Sequence, residues 1–152
     1  MPSIARLFLL SVAFCSTAGC ATADGGSWVE LRGKRFTVEV ADDAAERERG
    51  LMFRDNLAVD HGMIFIHDYQ APQAYWMKNT KIPLDILYFD QARKLVSAQQ
   101  SVPPCSLGDR CPPFASEGPA LYVLELNAGI AESLGVRAGD QLVFGPAIAV
   151  KK

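Results

Sequence analysis

The sequence of 152 residues lacks most of the patterns that announce a function. It has no H-E-x-x-H, no G-x-S-x-G and no phosphate-binding glycine loop, which removes the usual zinc-protease, serine-hydrolase and nucleotide-binding signatures. Basic charge is scarce: 15 Lys and Arg stand against 17 Asp and Glu, a formal net charge of −2. It clusters only at Arg32/Lys34/Arg35 and at Lys151-Lys152. Nucleic-acid binding by counterion release needs clustered cations, so no nucleic-acid partner is expected. No apolar run approaches the ~20 residues of a membrane-spanning helix. Histidine is limited to His61 and His67. With Met52, Met63 and Met77 they offer soft ligands of the kind Cu(I) takes. Their spacing is not that of an M-x-x-M tract, and the apolar surroundings of each Met suit core packing. No metal or cofactor is expected.

Long apolar stretches are also missing from the N-terminus, where a shorter one carries information. Met1 to Arg6 holds one positive charge, Leu7 to Phe14 is apolar, and small residues follow up to Cys20. That order reads as a secretory signal over residues 1–19. Thr17-Ala18-Gly19-Cys20 resembles a lipobox, with Thr17 where Leu is usual, which makes Cys20 the candidate for lipidation and a membrane anchor. By resemblance to Gram-negative lipoproteins, Ala21, with no acid beside the cysteine, implies an outer-membrane lipoprotein facing the periplasm. The alternative is cleavage after Ala23, in the small-x-small pattern Ala21-Thr22-Ala23, releasing a soluble exported protein. Residues 20–27 then form a tether and 28–150 a single domain.

Of four cysteines, Cys15 lies in the signal and Cys20 at its end, leaving Cys105 and Cys111. An even pair in an exported chain implies a disulfide. Five intervening residues fit neither C-x-x-C redox chemistry nor a zinc knuckle. Pro103-Pro104 and Pro112-Pro113 flank the loop and keep it out of helix and central strand.

Alternating apolar and polar residues in Trp28–Leu31 and Phe36–Val40, around Arg32-Gly33-Lys34, predict a hairpin. Asp43 and Glu46 form a capping-box pattern that opens a short helix through Arg49, with Gly50 as its stop. Met63–Ile66 reads as a buried strand, followed by a loop through Pro72. Further strands are expected at 84–89, 94–98, 120–126 and 141–144, with a second short helix from Ala128 to Leu134. The sum is an α+β domain that is mainly antiparallel β, a compact barrel or closed sandwich of about seven short strands with two short helices.

Two acids interrupt apolar strands. Alternation puts Asp85 on the face of Leu87 and Phe89, and Glu125 on the face of Leu121 and Val123. A buried carboxylate needs a partner; Arg49, Lys78, Asn79 and the backbone around Thr80 are candidates. Either the acids are structural, each tied into a salt bridge or turn, or they form a polar cleft beside Trp76. In the second case they could act as an acid/base or ligand-gripping pair on a sugar-like substrate.

Several stretches together carry a resemblance: Arg49-Gly-Leu-Met-Phe-Arg54, Gly62-Met-Ile-Phe65, Tyr75-Trp-Met-Lys-Asn-Thr-Lys-Ile-Pro-Leu-Asp-Ile86, Tyr122-Val-Leu-Glu-Leu126 and Gly139-Asp140. In these the chain resembles the domain of unknown function (DUF) 192 family over about 28–150. Tyr75 replaces the more usual Phe, and Phe114 stands where relatives with the cysteine loop often carry Tyr. The resemblance implies a small α+β domain, often exported, with no agreed activity. Its chemically capable positions are Arg49, Trp76, Lys78, Asn79, Thr80, Asp85 and Glu125, which makes them a candidate polar or ligand site. The expected function is a non-enzymatic cell-envelope module that binds a small ligand, glycan or protein. The alternatives are a carbohydrate-active hydrolase using Asp85 and Glu125, and a Met/His copper-handling protein.

Overall fold

The computed structural model describes residues 26–149; the expected signal, Cys20 and most of the tether lie outside them. The first hairpin forms as the alternation requires. β1 (Trp28–Leu31) and β2 (Lys34–Ala41) pair antiparallel. The turn between them is made by Arg32 (φ 50°) and Gly33 (φ 79°), two left-handed residues whose twist matches the flanking strands. α1 (Ala44–Arg49) opens where the Asp43 carboxylate accepts the Glu46 N–H at 2.8 Å and stops at Gly50. Arg47 pins this helix to the strand that follows, donating to the Asp42 and Ile66 carbonyls.

Three further strands follow: β3 (His61–Trp76), β4 (Leu84–Phe89) and β5 (Leu95–Val102). After the cysteine loop come β6 (Pro113–Asn127), α2 (Ile130–Leu134) and β7 (Leu142–Phe144). The spatial order is β5-β4-β6-β3-β2-β1-β7. Seven strands and two short helices agree with the expected inventory, but the architecture differs in two ways. The sheet is mixed, because β2 and β3 run parallel across the α1 crossover. The helix was legible, but the irregular stretch 51–60 between it and β3 hid that β–α–β step. The sheet is also not closed: it curls into a half-barrel. Its edges meet at one end only, at a bridge between Lys94 and Gln141. There the Leu95 N–H donates to the Asp140 carbonyl at 2.8 Å.

The expected loop through Pro72 is instead strand. β3 and β6 run on past the sheet as a two-stranded arm in which Pro72 pairs with Pro119 and Trp76 with Pro113. Register shifts at Ile66/Ala71 and Pro72/Ala74 absorb the irregularity. In such an arm each strand has one unpaired edge, so a missing proline N–H costs no ladder bond.

Both faces of the sheet bury apolar side chains. One cluster includes Phe36, Ile64, Leu87, Tyr122 and Leu126 and is capped by Ile130 and Ala131 of α2. The other includes Leu51, Met63, Phe65, Met77, Ile86, Tyr88 and Val123. Gly62 lets β3 and β6 come together: a Cβ there would lie 2.6 Å from the Glu125 carbonyl oxygen. Cys105 and Cys111 are joined, their Cα atoms 5.9 Å apart. No helix among the described residues is long and apolar enough to cross a membrane.

Candidate functional site

The two strand acids part company. Across the β4–β6 ladder Asp85 stands opposite Leu126, and Ile86 opposite Glu125. Side chains paired across strands share a face, so Asp85 and Glu125 point to opposite sides of the sheet. Asp85 is fully buried with Leu87 and Phe89, as alternation predicts. Both its oxygens are used: Oδ1 accepts the Ser101 N–H and Oδ2 the Ala131 N–H, each at 2.7 Å. Ser101 has φ 51° at the end of β5, and Ala131 lies in the first turn of α2. Asp85 therefore staples a strained strand end to a helix start, and its partners are backbone rather than Arg49 or Lys78.

Glu125 behaves differently. It shares its face with Val123, while Leu121 packs in the opposite cluster. The residue is only 5 % exposed. No hydrogen bond or ion pair to another described residue holds its carboxyl. Burial pushes the group up to about 8, so it is largely protonated at neutral pH. It lies against a cavity of about 220 Å³ formed between the C-terminal end of α1 and the β3–β6 arm.

The walls of that cavity come from elements whose local sequence explains them. The arm brings His67 and Tyr75 to the same side despite the intervening register shift, and Tyr75 Oη lies 3.0 Å from His67 Nε2. The Tyr75 ring meets Phe65 edge-on at 4.9 Å. Burial first, and then the field of Glu125, raise the Tyr75 and Tyr88 hydroxyls well above their usual range, so neither ionises. Tyr88 Oη donates to the Phe114 carbonyl at 2.6 Å, which anchors the arm over the sheet. Arg47 and Arg49 stand on the α1 side. Arg47 is committed to two carbonyls and to Asp68 at 3.3 Å. Arg49 is exposed and forms no ion pair among the described residues.

The rest of the sequence-chosen set gathers at the mouth. Trp76 is 40 % exposed at the tip of β3. The Lys78 ammonium sits 4.8 Å from the Trp76 ring centroid and is paired with Asp109 of the cysteine loop. Asn79, in the left-handed region at φ 56°, accepts the Phe53 N–H on its carbonyl and reaches Met52 Sδ with its amide. Thr80 is buried in the cavity wall, and its hydroxyl donates to the Lys78 carbonyl at 3.4 Å. Of the seven candidates, Arg49, Trp76, Thr80 and Glu125 line one cavity, Lys78 and Asn79 border an adjoining one, and Asp85 faces away.

Sequence reasoning missed Arg47, Phe53, Gln73 and Tyr75 as site residues. Gln73 and Tyr75 alternate on β3, a signal masked by Pro72. Of the soft ligands named for the copper alternative, Met52 and His67 line the Glu125 cavity, whereas Met63 and Met77 are buried in the second cluster and exposed His61 bonds Asp60 at 2.8 Å. No group of three or more His, Cys, Asp or Glu among the described residues could hold a metal ion.

Residues 27–144 match the model of DUF192, described as "Uncharacterized ACR". The chain belongs to the DUF192 family. No curated protein matches it. Among solved structures, a Sinorhizobium meliloti 1021 protein described as a "putative transcription regulator" is 37 % identical with a TM-score of 0.69. That match covers 78 % of this chain and 91 % of the other. A protein of unknown function from Novosphingobium aromaticivorans DSM 12444 is 34 % identical, also with a TM-score of 0.69. It covers 80 % of this DUF192 chain and 88 % of its own.

Proposed function

We propose that this DUF192 protein is a non-catalytic binding module of the cell envelope whose site is the Glu125 cavity. The observation that carries the reading is Glu125 itself. Its carboxyl is held by no other described side chain, is raised by burial, and opens onto the cavity. Such a group at the base of an open cavity is compensated when a ligand brings the missing hydrogen-bond partner. Exposed Trp76 at the mouth offers an aromatic surface to the same ligand.

Hydrolysis by paired carboxylates is not part of this reading. It needs two carboxyl groups flanking one bond, and Asp85 is on the other side of the sheet with both oxygens occupied. The description of the Sinorhizobium neighbour is not carried over either, since the acidic balance of this chain is a poor match to nucleic acid.

The envelope location rests on the signal-like residues 1–19 and on Cys20 as the lipidated first residue of an outer-membrane lipoprotein. Mass spectrometry of the exported N-terminus decides it: a diacylglyceryl-modified Cys20 supports an anchor, and a start at Asp24 a soluble protein.

Binding is tested by following the melting temperature of the purified protein across a panel of sugars, small amines and short peptides. A ligand at a hundred times its Kd stabilises the native state by about 2.7 kcal/mol. The shift should disappear in Glu125→Ala. A flat response across the whole panel sinks the reading.

A further inference from the structure

Beyond the Glu125 cavity, and continuous with it, lies a second cavity of about 320 Å³. Trp76, Arg49, Glu48 and Met52 border both. The second also takes in Phe53 and Lys78.

Phe53 is the unusual member. The residue is 61 % exposed, although it is a large aromatic, and its backbone has φ 65°. A bulky residue in the left-handed region is strained and persists only where its surroundings impose it. Here the imposing contact is the 2.8 Å bond from the Phe53 N–H to the carbonyl of Asn79, itself left-handed. Two strained residues thus fix an exposed aromatic ring on the same cavity as Trp76. Packing does not explain it, since the ring contributes to neither core cluster.

One cation at the two cavities is left for a ligand. Arg47, Arg49 and Lys78 are set against Glu48, with Glu125 largely protonated. Most of that charge is matched within the protein on a chain of net charge −2. Arg47 is committed to Asp68, and Lys78 to Asp109. Arg49 stands at the junction with no ion pair among the described residues.

Resting on the binding reading above, we infer that the groove takes an acidic oligosaccharide of at least two units. One ring sits in the Glu125 cavity and the next lies on the Phe53–Trp76 surface, with a sugar carboxylate paired to Arg49. Pyranose rings present apolar faces to aromatic rings and hydroxyls at their edges. The Glu125 carboxyl can donate to or accept from such a hydroxyl.

The test is calorimetric titration of the purified protein with galacturonic acid and its di- and trimer, with cellotriose as the neutral control. The expected result is at least a tenfold gain in affinity from monomer to trimer, and weaker binding of cellotriose. Phe53→Gly keeps the backbone conformation accessible while removing the ring. It should return the trimer to the affinity of the monomer. Arg49→Gln should erase the preference for galacturonate over the neutral trimer. Equal affinity for monomer and trimer, or a trimer affinity that Phe53→Gly does not alter, overturns the two-unit site while leaving the Glu125 cavity standing. Equal affinity for the acidic and neutral trimers overturns the acidic part. If no sugar binds at all while another member of the ligand panel still raises the melting temperature, the inference falls and the cavity reading survives. If nothing binds in either assay, both fall.

Discussion

Asp85 and Glu125 are one step out of phase across the β4–β6 ladder, and that single step separates a structural acid from a cavity acid. Asp85 ends on two backbone N–H groups, Glu125 on an open cavity. Their neutral amide variants should therefore behave differently. Asp85→Asn keeps one acceptor but turns an NH₂ toward a buried N–H, costing about 2–3 kcal/mol as a hydrogen bond to a charged group is lost. Glu125→Gln replaces a protonated carboxyl with a neutral isostere that gains nothing from ionising in the unfolded chain, and should raise stability at pH 7 by about 3 kcal/mol. Urea unfolding of the two variants checks both, and equal losses would contradict the division of roles.

The raised Glu125 carboxyl also sets a pH dependence of definite sign. Its folded value of about 8 exceeds the ordinary 4.5, so between these the native state binds more protons than the unfolded chain. Stability from this group is greatest at low pH and falls as pH rises through that window, by up to about 1.4 kcal/mol per unit. Glu39 works in the opposite sense. The hydrogen bond from Arg54 holds its carboxyl below the usual value, so its contribution is lost only as pH drops below about 4.5. Unfolding midpoints between pH 5 and 8 should decline in the native sequence and flatten in Glu125→Gln.

The local parts of this fold were legible because they depend on neighbours in sequence. Asp43, Gly50 and Gly135 bound the helices as caps do, and the Arg32–Gly33 turn lies where the alternation breaks. The face of Asp85 also followed from alternation alone. What alternation cannot supply is register between strands, so it could not say that Glu125 faces the other way. The β3–β6 arm was hidden for a different reason. Pro72, Gly118 and Pro119 read as breakers, yet in a two-stranded arm the proline nitrogens fall on free edges. The site inherits this gap: His67, Gln73 and Tyr75 converge only because the arm is strand.

Gly62 is a strict steric requirement of the same region. An alanine Cβ would press on the Glu125 carbonyl oxygen and the Leu126 side chain, both at 2.6 Å. The carbonyl belongs to the central β6 ladder and cannot swing away, so β3 and β6 must separate. Gly62→Ala should cost about 3 kcal/mol, at the upper end of overpacking penalties. Glycine at Gly33 faces open space, so Gly33→Asn, which tolerates positive φ, should cost under about 1 kcal/mol. Thermal unfolding of the pair separates close approach from mere turn preference.

The disulfide should matter more to the mouth of the site than to the cores. The Cys105–Cys111 loop is tied to the end of β3 twice, by the Lys78–Cys105 bridge and by the Lys78–Asp109 ion pair. Because Lys78 also lies over the Trp76 ring, the loop, the cation and the exposed indole form one connected unit. Closing so short a loop is worth about 2–3 kcal/mol through the entropy of the unfolded chain. Substituting both cysteines by serine should lower stability by about that amount. The strand signal in circular dichroism should persist, since both core clusters pack mainly through residues outside the loop. The fluorescence of Trp76 should shift as Lys78 loosens, while Trp28, stacked under Arg35 at 4.1 Å, should not respond. The Trp28→Phe background isolates that signal. An unchanged Trp76 spectrum in the double-serine variant would show that the loop and the indole are not coupled.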